Sequence, residues 1–370
     1  MTLLRTGTGA RLRRGGVAGH NDRSSTSDGT GSVATEVGSE ESTFQDRRVD
    51  HGHGREADSP SQLHLRGWLE VVRRAAAQIK TDNLAILAAG VAFWFFLALV
   101  PTIVAVINVY GLVANPSDVS KLVGRFDGAL PRDLVRFIDG QLRSITRTSA
   151  SGLGIGLALA VLAALWSASK GTRTLIEATN AAYDEEEGRS FIKVRLLAML
   201  FTAGGVVIGV GGMVVIGVGP RLASHLGPVG TVVSIVLGWP LVLVAFVLGL
   251  GVLYRWGPSR KEARWEWVTP GAIVATVLWV LGSALFALYA NGASSFNETY
   301  GSLGAIAIVQ LWLLITAFAV LLGAEINGEA ERQTRRDTTD HPAAALGERG
   351  AFAADTVAGE RETPDGTDPD

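Results

Sequence analysis

The residues LAILAAGVAFWFFLALVPTIVAVINVYGLVA, from Leu84 to Ala114, decide the fold of this chain, because none of them is Asp, Glu, Lys, Arg or His. A helix of about 20 apolar residues already crosses the hydrocarbon core of a membrane. A soluble helix of this length carries a polar face, whereas this stretch is apolar all round. It therefore predicts a membrane span. Because lipid cannot hydrogen-bond an open backbone, we expect the other apolar segments to be helices as well.

Five further segments of this kind follow, so the sequence predicts an all-α fold: a polytopic membrane helix bundle with six transmembrane helices in one domain, 63–327. Short amphipathic helices are expected outside the membrane. The predicted spans are about 84–110, 152–169, 196–219, 229–254, 268–290 and 303–325.

Both ends of the chain are polar and poor in large apolar residues, although the whole chain of 370 residues is 48% hydrophobic. Such segments bury too little surface to fold alone. The sequence predicts a disordered tail over 1–62 and a disordered acidic tail over 328–370. The chain has no Cys, which excludes disulfides and Cys-based metal sites. No pair of His is placed to hold a metal in the membrane, and no cofactor is expected.

Residues 63–80 form a basic amphipathic pattern just before the first span, with Leu65, Trp68, Leu69 and Val72 at helical spacing and cations between them. Such a helix can lie on anionic lipid headgroups, which are the expected partner. A homo-oligomer or an envelope protein partner is possible, and no nucleic acid is expected. Lys and Arg are concentrated in the amino-terminal flank, the second and fourth loops and the tail flank, which predicts cytoplasmic termini.

Small residues recur at four-residue spacing in several predicted spans, a pattern that lets helix backbones approach closely. Span two contains 152, 156, 160, 164 and 168 in this relation, span three contains Gly205 and Gly209, and span four contains Gly230, Ser234 and Gly238. We interpret these stripes as helix-packing surfaces. Pro101 falls near the middle of the first span and is expected to bend it.

The second loop is the most structured polar segment, because Lys170, Arg173, Glu177 and Asn180 recur at steps of three and four. One helical face then carries charges of both signs. Two interpretations stay open: a salt-bridged helix on the cytoplasmic surface, or a polar gate at the mouth of the bundle. The acidic run 184–187 is better read as a solvated turn than as a cation site.

The predicted spans contain no Asp, Glu, Lys, Arg or His except Glu325, at the end of span six. Pumps and proton-coupled carriers usually mark their path with such residues, so this mechanism is disfavoured. Gln310 is expected to hydrogen-bond to another helix. Glu325 is either an exposed helix-end residue or the partner of a basic residue of the second loop, for which the candidates are Arg173, Arg189 and Lys193.

Four stretches together resemble the YihY/BrkB family of bacterial inner-membrane proteins. They are LAAGVAFWFFLALVP (87–101), LWSASKGTRTLIEATNAAYDEEEGRSFIKVRLLAML (165–200), LYRWGPSRKEARWEWVTPGAIVATVLW (253–279) and ETYGSLGAIAIVQLWLLITAFAVLLGAEIN (298–327). The first departs from the family pattern of paired aromatics and a Ser at 93–98. The resemblance implies six helices in the cytoplasmic membrane. The family-like positions are Pro101, Asn180, Tyr183, Arg189, Pro258, Pro270, Gly271, Tyr300, Gly301, Gly323, Ala324 and Glu325.

Three functions remain, since the resemblance implies no settled activity. The leading hypothesis is a non-enzymatic protein that moves, or supports the movement of, a lipid-like or amphipathic envelope component. A membrane scaffold for envelope assembly is the alternative. A ribonuclease, as some family members were once named, is the least favoured, because the chain shows no His/Asp metal constellation and no basic groove in a soluble domain.

Overall fold

The computed structural model describes residues 54–113, 153–217, 219–292, 302–340 and 342–359. Over these ranges the regular structure is helical, apart from an isolated antiparallel bridge between Ala263 and Thr339. This confirms the predicted all-α class. The helices are α1 Leu65–Thr81, α2 Leu84–Val113, α3 Leu153–Ala182, α4 Phe191–Gly217, α5 Gly219–Ala223, α6 Gly227–Trp256, α7 Trp265–Gly292, α8 Ser302–Glu331 and α9 Phe352–Asp355, with single 3-10 turns at Pro60–Gln62 and Ser224–Leu226.

Four helices are long and apolar enough to cross a membrane, judged by length and composition over the described residues. They are Phe191–Ile216, Gly227–Trp256, Trp265–Tyr289 and Ile306–Glu331. A fifth span results if Leu65–Thr81 and Leu84–Leu99 count as one bent pair. The predicted second span lies in the first half of α3 and is not among these helices. The structure therefore supports four to five spans, and the sixth stays a prediction.

The chain bends by 69° between α1 and α2. The bend occurs at Asn83, whose φ of 51° lies in the left-handed region that Asn tolerates better than most residues. The Asn83 carbonyl then accepts hydrogen bonds from the backbone N–H groups of Ile86 and Leu87 and starts α2. Consequently α1 does not extend the axis of α2. Pro101 lies in the part of α2 whose side chains the structure does not describe.

The six long helices contact one another in a closed cycle in chain order. Contacts join α2 to α3, α3 to α4, α4 to α6, α6 to α7 and α7 to α8, and α8 returns to α2. The α7–α8 contact is the closest of those described here, because a Cβ on Gly271 would lie 2.0 Å from the Gly323 carbonyl oxygen. Only glycine fits at both positions, so these two family-like residues fix the backbone separation of the two helices.

Helix α4 is packed far more loosely than α7 and α8. None of the residues in its most apolar window is buried within the protein. A Cβ on Gly205 or Gly209 would meet nothing within 4 Å, so the prediction of close helix packing there is wrong. Contact with α6 occurs nearby instead, where a Cβ on Gly212 would lie 3.4 Å from Val242 and one on Gly238 would lie 3.5 Å from Val215.

The tail predicted to be disordered over 328–370 is packed over its described part. Helix α8 runs to Glu331, and beyond it Thr338, Arg349 and several alanines are buried. The Arg349 guanidinium donates to backbone carbonyls of Arg336, at 3.1 Å, and Ala354, at 2.6 Å, among others. Composition predicted disorder because it counts apolar surface and not hydrogen bonds of this kind.

The amino-terminal boundary also differs from the prediction of disorder over 1–62. Ala57 and Leu63 are buried in a cluster with Trp267 and Ala330. The backbone N–H of Arg335 donates to a carbonyl of this segment at 2.8 Å. Residues 54–62 are thus part of the folded domain, whereas 1–53 and 360–370 lie outside the described residues.

Candidate functional site

Charged and polar side chains meet at one end of the bundle, which we call the polar end. It consists of 54–64, the loop 183–190, the loop 257–264 and the end of α8 with 332–359. The Arg264 guanidinium donates to the Asp58 carbonyl at 2.6 Å, and the Phe352 N–H donates to Glu185 Oε1 at 2.7 Å. Sequence analysis predicted that these four segments lie on one side of the membrane, and their mutual contacts are consistent with that.

At the centre of the polar end, Arg260 and Glu331 form an ion pair with a nitrogen–oxygen distance of 2.6 Å. Neither side chain is accessible to solvent. The Thr338 hydroxyl donates to Glu331 at 2.8 Å, and the Arg260 guanidinium lies 4.4 Å from the centroid of the Tyr183 ring. Burial lowers the pKa of Arg260, but the charge and hydrogen bond of Glu331, together with Tyr183 and Glu185, outweigh this effect, so the pKa is raised overall. The Arg260 guanidinium therefore stays charged, and the pair joins four segments.

Asn180 connects the end of α3 to the loop 257–264. Its Nδ2 donates to Glu187 Oε2 at 3.0 Å, and its Oδ1 accepts from the Ser259 N–H at 2.8 Å. Arg189 pairs with Glu187 at 2.7 Å and donates to the Gly257 carbonyl at the same distance. The Arg189 hydrogen bonds lower the pKa of Glu187 to about 2. The family-like positions Asn180 and Arg189 therefore hold two loops together.

Glu325 is buried, but its neighbours are not the basic residues considered in the sequence analysis. Arg173 pairs with Glu177 and Arg189 with Glu187, and Lys193 is exposed. The Glu325 carboxyl is instead hydrogen-bonded to that of Asp82, and its Oε1 has no hydrogen-bond partner among the described residues. The prediction of a basic partner is therefore wrong, and so is the alternative of an exposed helix end.

The acidic residues around Glu325 are held by arginines that do not reach it. Arg74 of α1 pairs with Glu329, and one of its nitrogens donates to Gln333 Oε1 at 2.8 Å. Arg332 lies 2.9 Å from Glu329 and 3.9 Å from Asp184. Burial raises the pKa of Asp82, and the hydrogen bond from Glu325 opposes this only in part. Two neighbouring carboxyl groups repel each other when both are ionised, which favours retention of a proton by one of them.

The face of α3 that carries Lys170, Arg173 and Glu177 lies at the surface. The Lys170 ammonium sits 3.6 Å from the centroid of the Trp94 ring, and Arg173 pairs with Glu177 one helical turn away at 2.9 Å. Both members of the ion pair are about a third to a half exposed. Of the two open interpretations, these contacts fit the salt-bridged surface helix.

The remaining predicted positions either lie in contacts between helices or fall outside the described residues. Asn327 Oδ1 accepts from the Gly271 N–H at 2.7 Å, which completes the contact beside Pro270 and Gly323. Gln310 Oε1 is buried without a hydrogen-bond partner in the described part of the chain, so the expected bond to another helix is not formed at this atom. Tyr300 and Gly301 lie outside the described residues.

Sequence reasoning missed the residues that organise the polar end: Arg260, Asn327, Glu331 and Arg349. Asn327 ends the last family-like stretch, which was a usable signal. Arg260 was counted only as a loop charge, and Glu331 and Arg349 were assigned to a disordered tail. In the ranges that the structure describes, no group of three or more His, Cys, Asp or Glu side chains is arranged to hold a metal ion.

Over its described residues the chain is all-helical, with four to five candidate spans and most of its charged side chains at one end, so it is a polytopic helical membrane protein. Comparison with known proteins agrees, because the model of the family described as "Virulence factor BrkB" matches residues 75–347. The chain belongs to this family, which confirms the resemblance found in the sequence.

Curated relatives are similar over most of the membrane domain. "Putative ribonuclease-like protein YfkH" of Bacillus subtilis is 28% identical over 65% of this chain and 87% of its own length. A UPF0761 membrane protein of Vibrio vulnificus is 22% identical over 73% of this chain and 85% of its own length. A UPF0761 membrane protein of Idiomarina loihiensis is 26% identical over 49% of this chain and 61% of its own length. No solved structure matches the chain.

Proposed function

We propose that this protein is a non-catalytic component of the bacterial cytoplasmic membrane that moves, or supports the movement of, a lipid-like or amphipathic envelope component. In this proposal it has six spans and both termini in the cytoplasm. One observation supports this proposal. Helix α4 belongs to the closed cycle of helices, yet no residue in its most apolar window is buried. A helix that packs this loosely between α3 and α6 leaves its apolar surface accessible to lipid.

The composition of α4 supports this use. Around Gly204, Gly205, Gly209 and Gly211 an added Cβ would meet nothing within 4 Å. Along the same helix, Val207 and Met213 expose most of their side chains. Such a surface accepts acyl chains without fixed polar contacts, and the polar end offers charged groups for a headgroup. The absence of ionisable residues from the interior of the predicted spans suits an apolar cargo better than an ion.

The test is to fix α4 against α6. The chain has no Cys, and Gly212 faces Val242, so the double variant Gly212→Cys/Val242→Cys can form a disulfide across this contact. Reconstituted in vesicles, the protein should accelerate transbilayer movement of a fluorescent phosphatidylglycerol. Oxidation of the double variant should slow this movement, and reductant should restore it. Each single Cys variant is the control. A rate equal to that of protein-free vesicles would contradict movement of such a lipid and favour the scaffold.

Orientation is tested on the same Cys-free background. Glu262 lies in the polar end, and Ser224 lies between α5 and α6, and both are exposed. In intact cells, an impermeant thiol reagent should label Ser224→Cys but reach Glu262→Cys only after the membrane is opened. The reverse pattern would place the polar end outside.

The ribonuclease name of the Bacillus subtilis relative suggests a different function. The polar end presents no His among its described residues apart from His64, which is exposed at the start of α1. We therefore favour a non-catalytic role. Purified protein, freed of soluble nucleases and incubated with RNA and divalent metal, should leave the RNA intact. Cleavage that is lost in an Arg260→Met or Glu331→Gln variant would reverse the assignment.

A further inference from the structure

Helix α1 has two apolar faces, and only one of them is used for packing. Gly67, Val71 and Ala75 are buried, with Val71 and Ala75 in a cluster that includes Trp267 of α7 and Ala330 of α8. This face holds α1 on the bundle. Arg74 reinforces the attachment through its ion pair with the end of α8.

The second apolar face points away from the bundle. Leu65, Leu69 and Val72 are 77%, 61% and 52% exposed, and Ala76 continues the row. At about 100° per residue these positions, spaced by four, three and four, form one stripe along the helix. A stripe of exposed Leu and Val along the whole helix is unfavourable in water and calls for a partner.

A row of cations runs beside this stripe. Arg66, Arg73 and Lys80 are exposed and recur every seven residues, so they lie along one line next to the apolar stripe. No exposed residue of α1 is acidic, because Glu70, the helix's one acid, is half-buried and hydrogen-bonded to Gln333. The exposed surface of α1 therefore combines apolar and positive character and carries no free negative charge.

The angle of 69° between α1 and α2 suits this surface to a membrane interface. If α2 crosses the bilayer, a helix inclined so steeply to it lies close to the membrane plane. Ile86, at the first turn of α2, is itself 70% exposed, so the apolar surface continues from α1 into the span.

We propose that the stripe Leu65, Leu69, Val72 and Ala76 of α1 inserts into the cytoplasmic leaflet, while Arg66, Arg73 and Lys80 bind anionic phospholipid headgroups. Charge distinguishes the two candidate partners of this surface, a second copy of the chain and a lipid leaflet. A second copy would bring the same cations against these, whereas a leaflet rich in anionic lipid is complementary. Helix α1 then couples the polar end, through Arg74 and Glu329, to the charge of the membrane surface. Binding of α1 to the leaflet is independent of the movement of any cargo.

The experiment uses the full chain with one Cys at a time, placed at Leu69, Val72 or Ala77, and labelled with a nitroxide. Ala77 is the matched control, since it is exposed but lies about a third of a turn from the apolar stripe. In vesicles that contain phosphatidylglycerol, labels at 69 and 72 should collide with oxygen several-fold more, relative to a water-soluble nickel chelate, than the label at 77. The same three measurements are made in vesicles of phosphatidylcholine alone.

Removal of the cations provides the second measurement. In the unmodified chain the collision ratios at 69 and 72 should be higher in vesicles with phosphatidylglycerol than in vesicles without it. In the triple variant Arg66→Gln/Arg73→Gln/Lys80→Gln this difference in collision ratio should disappear, while the thermal stability of the detergent-solubilised protein is unchanged. Equal collision ratios at 69, 72 and 77 in both lipids would overturn the proposal. Dipolar broadening between labels on different copies at 69 would also overturn it, by assigning the stripe to a protein contact.

Discussion

The guanidinium of Arg260 and the carboxylate of Glu331 lie 2.6 Å apart, and both side chains are completely inaccessible to solvent. The pair joins the loop 257–264 to the last turn of α8. Burial of two charges is costly, and their attraction offsets this cost only when the remaining polar atoms are also satisfied. Thr338 meets part of that need through its hydrogen bond to Glu331. The geometry of the polar end therefore depends on keeping the pair intact.

Arg260→Met should destabilise the protein by about 3–5 kcal/mol, because it leaves the Glu331 carboxylate buried without a counter-charge. Arg173→Met is the control, since the Arg173–Glu177 pair is partly exposed and such pairs contribute about 0–1 kcal/mol. Denaturation of both variants in detergent, compared with the unmodified chain, measures the difference. Equal losses would show that the Arg260 pair is no more important than a surface ion pair.

Gly323→Ala should also destabilise the bundle, for a steric reason. A Cβ at this position would lie 2.6 Å from the Gly271 carbonyl oxygen and 2.7 Å from the Ala275 Cβ, both on α7. Overpacking of this kind costs about 1–3 kcal/mol or more. Gly209→Ala is the matched control, because nothing lies within 4 Å of the added methyl group and alanine favours the helix. The two melting temperatures should therefore move in opposite directions, and a parallel fall would contradict the α7–α8 contact.

Asp82→Asn should stabilise the protein at neutral pH. Burial raises the pKa of Asp82 in the folded state above that of the unfolded chain, near 4, so folding favours the protonated acid. The favourable contribution of Asp82 to the free energy of unfolding is complete below the pKa of the unfolded chain. It is lost as the pH rises through the pKa of the folded state. The amide keeps the neutral form at all pH values. The melting temperature of Asp82→Asn should exceed that of the unmodified chain at pH 8, and the difference should shrink at pH 5.

Glu325→Gln tests the same cluster from α8. A basic partner would make this variant less stable by several kcal/mol, as the sequence analysis implied. The observed neighbours Asp82, Asp184 and Glu329 are acidic, so a neutral amide at position 325 should be tolerated. A large fall in melting temperature at neutral pH would contradict the acidic surroundings of Glu325.

Long uncharged apolar runs were sufficient to predict the long helices, because a run such as 84–99 has few alternatives to a helix in a membrane. The ends of α4, α6, α7 and α8 fall within a few residues of those expected, except where charged residues prolong a helix. Helix α3 continues to Ala182 and α8 to Glu331, past the predicted ends of the spans. Membrane thickness limits the apolar part of a helix and does not limit the helix itself.

The partners of charged residues could not be predicted in the same way. The predicted side of the membrane and the opposite charge suggested Arg173 or Arg189 as the ion-pair partner of Glu325. Both arginines instead pair with glutamates close to them in sequence, Glu177 and Glu187. Local partners form with little loss of chain entropy, so they compete successfully against distant ones. Conversely, Arg260 and Glu331 are 71 residues apart, and only the folded arrangement brings them together.

Truncation after Arg336 should destabilise the protein, although the composition of the tail suggested that it is dispensable. It removes Thr338, which donates to Glu331, and Asp340, which pairs with Arg255 at 2.5 Å. It also removes the main chain at Phe352, whose N–H donates to Glu185. Each buried polar group left without a partner costs about 1–3 kcal/mol, so the loss should reach several kcal/mol. Truncation after Gly359 is the control, because it retains all of these contacts. The melting temperatures of the two truncated proteins in detergent decide the question: similar values would mean that 337–359 contributes nothing to the stability of the polar end.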